Sequence, residues 1–262
     1  NPVAVVHDAE TLTDDQMRRI SSWTNLSECT FLVPPTDPAA DYRVRIWTTG
    51  GELPFAGHPT LGSAHAWLEA GGVPASDEVV VQECAAGLVA VRRGERLAFA
   101  APPLVRSGAL SPQDTADVGS ALGLDPADVL EMAWVDNGPG WVGILLRSPD
   151  AVLTADPDPG RCRGIKAGLV APYLPAPRDD GVAAEVRAFY SDGREFAEDP
   201  VTGSLNAGLA QWLVPAGHLP HRYVAAQGTV IGRDGRVHVD VVDGVVWVGG
   251  ATHTVVVGER QA

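Results

Sequence analysis

Positive charge is what this chain has little of: 19 lysines and arginines stand against 33 aspartates and glutamates, for a net charge of −14 with histidine neutral. A surface of that sign repels a phosphate backbone, and no lysine or arginine cluster rises above the background. Nucleic-acid binding is therefore excluded as a reading, and a small-molecule partner is favoured. Cysteine is scarce as well. Cys29, Cys84 and Cys162 are odd in number and too widely spaced for a zinc knuckle, so they indicate neither a disulfide framework nor a cysteine metal site. Free thiols in a reducing cytoplasm are the expectation. Long apolar runs are missing too, since none approaches the roughly 18 residues of a membrane span. No signal-peptide pattern opens the chain, which begins at Asn1 rather than Met. Among the histidines no pair has the i, i+4 spacing of a helical zinc site, so no metal is expected.

What is present is an ordinary globular composition, 45% hydrophobic and 20% charged in 262 residues, enough for two lobes that each bury a core. The chain also says nearly the same thing twice. Ala56-Gly57-His58-Pro59-Thr60-Leu61-Gly62-Ser63 is echoed by Ala197-Glu198-Asp199-Pro200-Val201-Thr202-Gly203-Ser204 at an offset of 141, as from Ala56 to Ala197. The echo continues through Ala66 with Ala207 and Leu68 with Leu209. Upstream it runs through Val44-Arg45 with Val186-Arg187 and Gly51 with Gly193, at offset 142. A segment repeated once, half a chain apart, implies two similar halves rather than a solenoid of short repeats. One copy carries His58 where the other carries Asp199, so the scaffold is repeated while the titratable group changes.

Local patterns fill in the halves. Val3–Val6 reads as a strand, and Thr13 with Gln16 offers a capping box for a helix through Trp23. Strands are expected at Cys29–Val33, Tyr42–Trp47, Val79–Gln82, Gly87–Arg92 and Leu97–Ala101. A helix is expected over Thr60–Ala70, stopped by Gly71-Gly72. Pro102–Pro112 reads as a linker, followed by helices at Asp114–Leu122 and Pro126–Met132 and strands at Trp141–Arg147 and Glu185–Tyr190. Gly203–Leu213 reads as the second echo helix, and Val224–Val257 as an antiparallel tail with glycine turns. Together these predict an α+β fold of two pseudo-symmetric lobes, each a curved, mainly antiparallel, barrel-like sheet around a central helix. The expected division is 1–103 and 104–262, with the last strand packing back on the first lobe.

Three side chains stand out chemically. Glu28 lies where the first helix meets a strand that should be buried, and a carboxyl in a poorly hydrated place is suited to taking and giving a proton. His58 opens a helix, where amides and the helix dipole favour neutral imidazole and bind anions. Asp199 holds the matching position in the second copy. Each also has a structural reading: a surface or capping glutamate, a backbone-bonded histidine, a helix-capping aspartate. His65, further along the first echo helix, fits the structural reading better than His58. Gly57, Gly62 and Ser63, and opposite them Thr202, Gly203 and Ser204, are candidates to bind a substrate carboxylate at helix N-termini, although small residues there are also ordinary packing.

Asn25-Leu26-Ser27-Glu28, Gly57-His58-Pro59-Thr60-Leu61-Gly62 and Glu198-Asp199-Pro200-Val201-Thr202-Gly203-Ser204 together resemble the phenazine-biosynthesis PhzF family, as do the opening Asn1–Val6 and the stretch Val224–Thr229. The resemblance covers essentially the whole chain. It implies a diaminopimelate epimerase-like fold, with the site in a cleft between two lobes. It implies Glu28 as general acid/base, His58 and Asp199 completing the site, and Ser204 with nearby amides holding substrate. The reaction implied is a cofactor-free isomerisation that moves a proton within a small, cyclic, unsaturated amino acid-like carboxylate, carried out by a homodimer. The two cysteines of diaminopimelate epimerases have no counterpart in either echo motif. An epimerase or racemase without thiols, and a binding protein that keeps the cleft without chemistry, are the alternatives. The sequence departs from the family pattern at Trp47-Thr48-Thr49-Gly50, where Phe-Thr-Pro is usual, and at Cys29, which replaces a threonine.

Overall fold

The computed structural model describes residues 1–191 and 196–259, so Gly193 of the echo lies outside the described residues. The chain forms two compact units, Asn1–Ala100 with Gly249–Ala262, and Ala101–Val248.

In the first unit, β1 (Val3–Val6) leads to α1 (Asp14–Thr24), then β2 (Glu28–Val33), β3 (Tyr42–Thr48), β4 (Gly51–Leu53), α2 (Gly57–Glu69), β5 (Val79–Cys84), β6 (Gly87–Arg92) and β7 (Leu97–Ala100). Helix α1 begins because the Thr13 and Gln16 side chains each bond the other's backbone N–H, and it ends at Asn25 in the left-handed conformation, φ 51°. Successive side chains of β2 point to opposite faces. Cys29 and Phe31 pack with Met17 of α1 and with Trp47. Thr30 instead meets Ser63 of α2. The strand order is β1-β2-β3-β5-β6-β7, with β4 hydrogen-bonded to β3. Helix α2 touches β1 and β7, the two ends of that order, as well as β2 and β5. One helix can reach both ends of a six-strand order only if the sheet curls around it.

The second unit begins with β8 (Arg106–Ala109), α3 (Pro112–Ala121) and β9 (Val129–Asp136). It then runs through β10 (Val142–Leu146), α4 (Pro149–Thr154), β11 (Lys166–Pro172), β12 (Val182–Ser191), β13 (Phe196–Asp199), α5 (Gly203–Leu213), β14 (Arg222–Gln227), β15 (Gly235–Val242) and β16 (Val245–Gly250). Strands order as β16-β15-β14-β12-β11-β10-β9-β8. Helix α5 touches β9, β10 and β15, so this sheet curls in the same way. Glycine makes the enclosure possible. A Cβ on Gly168 of β11 would stand 2.3 Å from Leu205 of the helix, and one on Gly208 would stand 2.2 Å from the Val135 carbonyl oxygen.

The duplication extends to the wiring. β1–α1–β2 and β10–α4–β11 are parallel pairs joined through a helix, and β3–β4–α2–β5 matches β12–β13–α5–β14, again with parallel outer strands. β2 is antiparallel to β3 as β11 is to β12. Each copy has the same clamp at the echoed arginine. Arg45 donates from Nε and Nη2 to the two carboxylate oxygens of Glu52 at 2.7 and 2.6 Å, and its guanidinium lies 5.4 Å from the Trp47 ring. Arg187 makes the same fork onto Glu198 at 3.1 and 2.8 Å, and lies 4.7 Å from the Phe189 ring. Its Nη1 also donates to the Val152, Leu153 and Ala155 carbonyls at the end of α4.

Two expectations need correction. Residues expected as a helix over Pro126–Met132 enter β9, which pairs with both β10 and β8. A short apolar run does not distinguish buried strand from helix by period, and pairing of Val129–Met132 with β10 decides it. The expected linker Pro102–Pro112 contains β8, an exposed edge strand. Strands β4 and β11 and helix α4 were not anticipated from sequence.

The two clamps differ in burial, which makes them separable. Arg187 and Glu198 are 5% and 9% exposed, against 21% and 33% for Arg45 and Glu52. Arg187→Met leaves a buried carboxylate without its cation and should cost about 3–5 kcal/mol, whereas Arg45→Met should cost about 1 kcal/mol or less. Chemical denaturation of both variants checks this, and equal losses would contradict it.

Candidate active site

In the first unit the sequence candidates Glu28 and His58 meet. Glu28 is the first residue of β2 and faces α2, as Thr30 does two residues later. It is not a cap of α1, whose C-cap is Asn25. His58 is the second residue of α2, after an Ala56 cap that contributes no side-chain bond to the free amides of the first turn. His58 Nε2 stands 3.2 Å from Glu28 Oε2, with both side chains mostly buried. The other ring nitrogen, Nδ1, donates to the Pro2 carbonyl. Burial, opposed by the Pro2 bond, pushes the imidazole down to about 3. The ring is therefore neutral, with its proton on Nδ1 and an unprotonated Nε2 close to the carboxyl.

Other candidates of this unit pack differently. Ser63 is fully buried and spends its hydroxyl proton on Thr30 Oγ1 at 2.9 Å. Gly62 is required by packing, since a Cβ there would come within 2.5 Å of Val3. Gly57 is the buried first residue of α2. Sequence reading missed Gln82, which accepts from the Tyr42 hydroxyl and donates to Thr60 Oγ1, tying β5 to the first turn of α2. His65 is structural: Nε2 meets Thr254 Oγ1 at 3.0 Å, Nδ1 meets Thr252 Oγ1 at 3.2 Å, and Thr254 also bonds Glu69.

In the second unit Asp199, Thr202, Gly203 and Ser204 gather at the start of α5. Asp199 ends β13, and its Oδ2 accepts the Thr202 hydroxyl at 2.7 Å. Thr202 is the N-cap residue but makes no side-chain cap bond, and Gly203 opens the helix. Gln227 of β14 repeats the part of Gln82. Its Nε2 donates to the Asp199 carbonyl at 2.8 Å and to Thr202 Oγ1 at 2.9 Å, while its Oε1 accepts from the Thr202 N–H and from Asn206. Ser204 differs from its echo Ser63: its oxygen accepts a bond from the Trp141 indole N–H at 3.0 Å. Asn137 donates to the Ser204 carbonyl at 2.8 Å. Neither Asn137 nor Trp141 carried a signal in the sequence, because both reach the helix from a distant hairpin.

Burial raises all three thiols, Cys29 to about 11, which keeps them from serving as thiolates at neutral pH. Among the described residues no helix is long and apolar enough to cross a membrane.

The His58 state has two measurable consequences. Its ring resonances should stay those of the neutral, Nδ1-protonated tautomer from pH 8 to 5 in NMR titration, and a midpoint near 6.5 would contradict the burial argument. Below about pH 6.5 the unfolded imidazole takes up a proton that the folded one accepts only near 3. Stability therefore falls as pH falls across that interval, and His58→Gln should flatten the slope.

Against known proteins, residues 1–258 match the family model of phenazine biosynthesis-like proteins. A Schizosaccharomyces pombe protein named antisense-enhancing sequence 1 is 33% identical over 285 residues, covering 99% of this chain and 93% of its own. The trans-2,3-dihydro-3-hydroxyanthranilate isomerase of Pseudomonas aeruginosa is 31% identical, covering 91% and 84%. The crystal structure of a PhzF-family protein from Enterococcus faecalis superposes with a TM-score of 0.75 at 24% identity, over 95% of this chain and 88% of that one. A full-length family match, relatives named as isomerases and a shared fold lead to one conclusion: the chain belongs to the PhzF-like isomerase family.

Proposed function

We propose that this protein is a cofactor-independent isomerase whose Glu28 shifts a proton within a small, cyclic, unsaturated amino acid-like carboxylate. The observation that carries the reading is the 3.2 Å contact between Glu28 Oε2 and a neutral, lone-pair-bearing His58 Nε2. An unprotonated imidazole nitrogen at that distance is a near acceptor for a proton held on the Glu28 carboxyl. Glu28 therefore serves as acid when it holds that proton and as base when it has given it up, with His58 steadying either form. In the reaction a C–H bond breaks at one carbon, a C–H bond forms at another, and the double bond moves between them. No electrons leave the substrate, so no redox partner is needed.

The substrate carboxylate is assigned to the first turn of α5, where backbone amides, the dipole and the Ser204 hydroxyl attract an anion. Asp199, held by Thr202, is the second polar group acting on the substrate. Trans-2,3-dihydro-3-hydroxyanthranilate, the substrate named for the Pseudomonas aeruginosa relative, is the first compound to try. The reading includes a homodimer, as the resemblance implies, and the reducing cytoplasm expected from the free thiols.

Solvent-deuterium incorporation into that compound tests the proposal. The wild type should place deuterium at the carbon that gains a proton, and Glu28→Gln should slow this by about 10²–10⁴-fold. Equal incorporation by both proteins would remove Glu28 from its role.

A further inference from the structure

The echo serines are chemically opposite, and the difference is made by a hairpin outside the duplicated motif. Ser63 donates its proton to Thr30, so that hydroxyl is spent inside the fold. Ser204 accepts at Oγ from the Trp141 indole, and an indole N–H is a donor only. The Ser204 proton therefore points away from Trp141. A serine in a helix's first turns otherwise tends to turn its hydroxyl back onto a preceding backbone carbonyl.

The turn that delivers Trp141 is built for that placement. Asp136 Oδ1 accepts from the Gly138 and Gly140 amides at 2.7 and 2.6 Å. Gly138 and Gly140 take φ values of 131° and 94°, which side-chain-bearing residues rarely adopt. The Val135 N–H closes the loop onto the Trp141 carbonyl at 3.0 Å. The same turn sends Asn137 to the Ser204 carbonyl, so one six-residue hairpin grips a single serine at both its backbone and its side chain. Asn137, Trp141 and Ser204 are all at least nine-tenths buried, so water does not compete for these bonds.

We propose that Trp141 is a positioning residue for substrate binding: its indole N–H locks the Ser204 hydroxyl as a donor towards the substrate carboxylate, with Asn137 fixing the serine's backbone. This rests on the carboxylate assignment made under the proposed function, and it adds residues that neither the echo nor the family motifs contain.

The test is a double-mutant cycle with Trp141→Phe, Ser204→Ala and their combination, using trans-2,3-dihydro-3-hydroxyanthranilate and deuterium incorporation as the readout. Trp141→Phe removes the N–H together with part of the buried bicyclic ring, and the Ser204→Ala background separates the hydrogen bond from the lost packing. Trp141→Phe should raise KM about tenfold, the worth of one hydrogen bond to a charged group, with kcat changed less than about threefold. In the Ser204→Ala background the same change should add less than about twofold. Full additivity, or no effect of Trp141→Phe in a folded protein, would overturn the inference, because a packing role does not depend on the serine hydroxyl. A second readout needs neither a folded Trp141→Phe variant nor an active enzyme. The Trp141 indole N–H resonance should move upfield and exchange faster in Ser204→Ala, and an unmoved resonance overturns the inference. A wild type that neither binds nor turns over the compound would sink the substrate assignment, and the indole resonance would still decide whether Trp141 holds Ser204.

Discussion

Each half of this molecule is governed by one constraint: a central helix is enclosed by strands from well-separated positions of its own sheet. Such a helix cannot slide or rotate without disturbing many contacts at once, so its first turn becomes a fixed point in a soft molecule. Glycines at Gly62, Gly168 and Gly208 let helix and strands approach more closely than any side chain would permit. Gln82 and Gln227 then tie the following parallel strand to the threonine at the start of each helix. The candidate chemistry of each half gathers at that fixed turn.

Duplication supplied the frame twice, and divergence gave the copies different work. In the first unit the turn carries His58, neutral by burial and set against Glu28 of the adjoining strand. In the second it carries Asp199 and a serine whose oxygen accepts an indole N–H. The arginine–glutamate clamps show the same divergence in the supporting structure. Arg45 shares its clamp with Asp14 near the surface, whereas Arg187 is sealed inside and holds the end of α4 by its carbonyls. A buried fork of this kind gives geometry more than energy, because desolvation offsets much of the attraction.

Features set by neighbours in sequence were legible from it. The Thr13 capping box, the glycine-bounded strand Gly87–Arg92 and the helix beginning at Gly203 follow from local bonding and periodicity. The meeting of Glu28 with His58 was anticipated only through motif spacing and family resemblance. Ser63 could not be told from Ser204 in sequence, since their motifs are near copies. Thr30 under one comes from a strand, and Trp141 beside the other from a hairpin turn, both far away in the chain. Residues 126–132 misled because their short apolar run suits a helix as well as a strand, and pairing of Val129–Met132 with β10 settled the matter.

The amino-acid sequence by itself determined the duplicated plan, the acidic surface and the polar groups available for proton transfer, because repetition, charge and residue chemistry are written along one dimension. Tertiary structure decided which of those groups are dry, which hydroxyl gives its proton and which arginine is sealed. Hydration and hydrogen-bond direction depend on what the folded chain brings from elsewhere, and curling each sheet around its helix is the step that brings it.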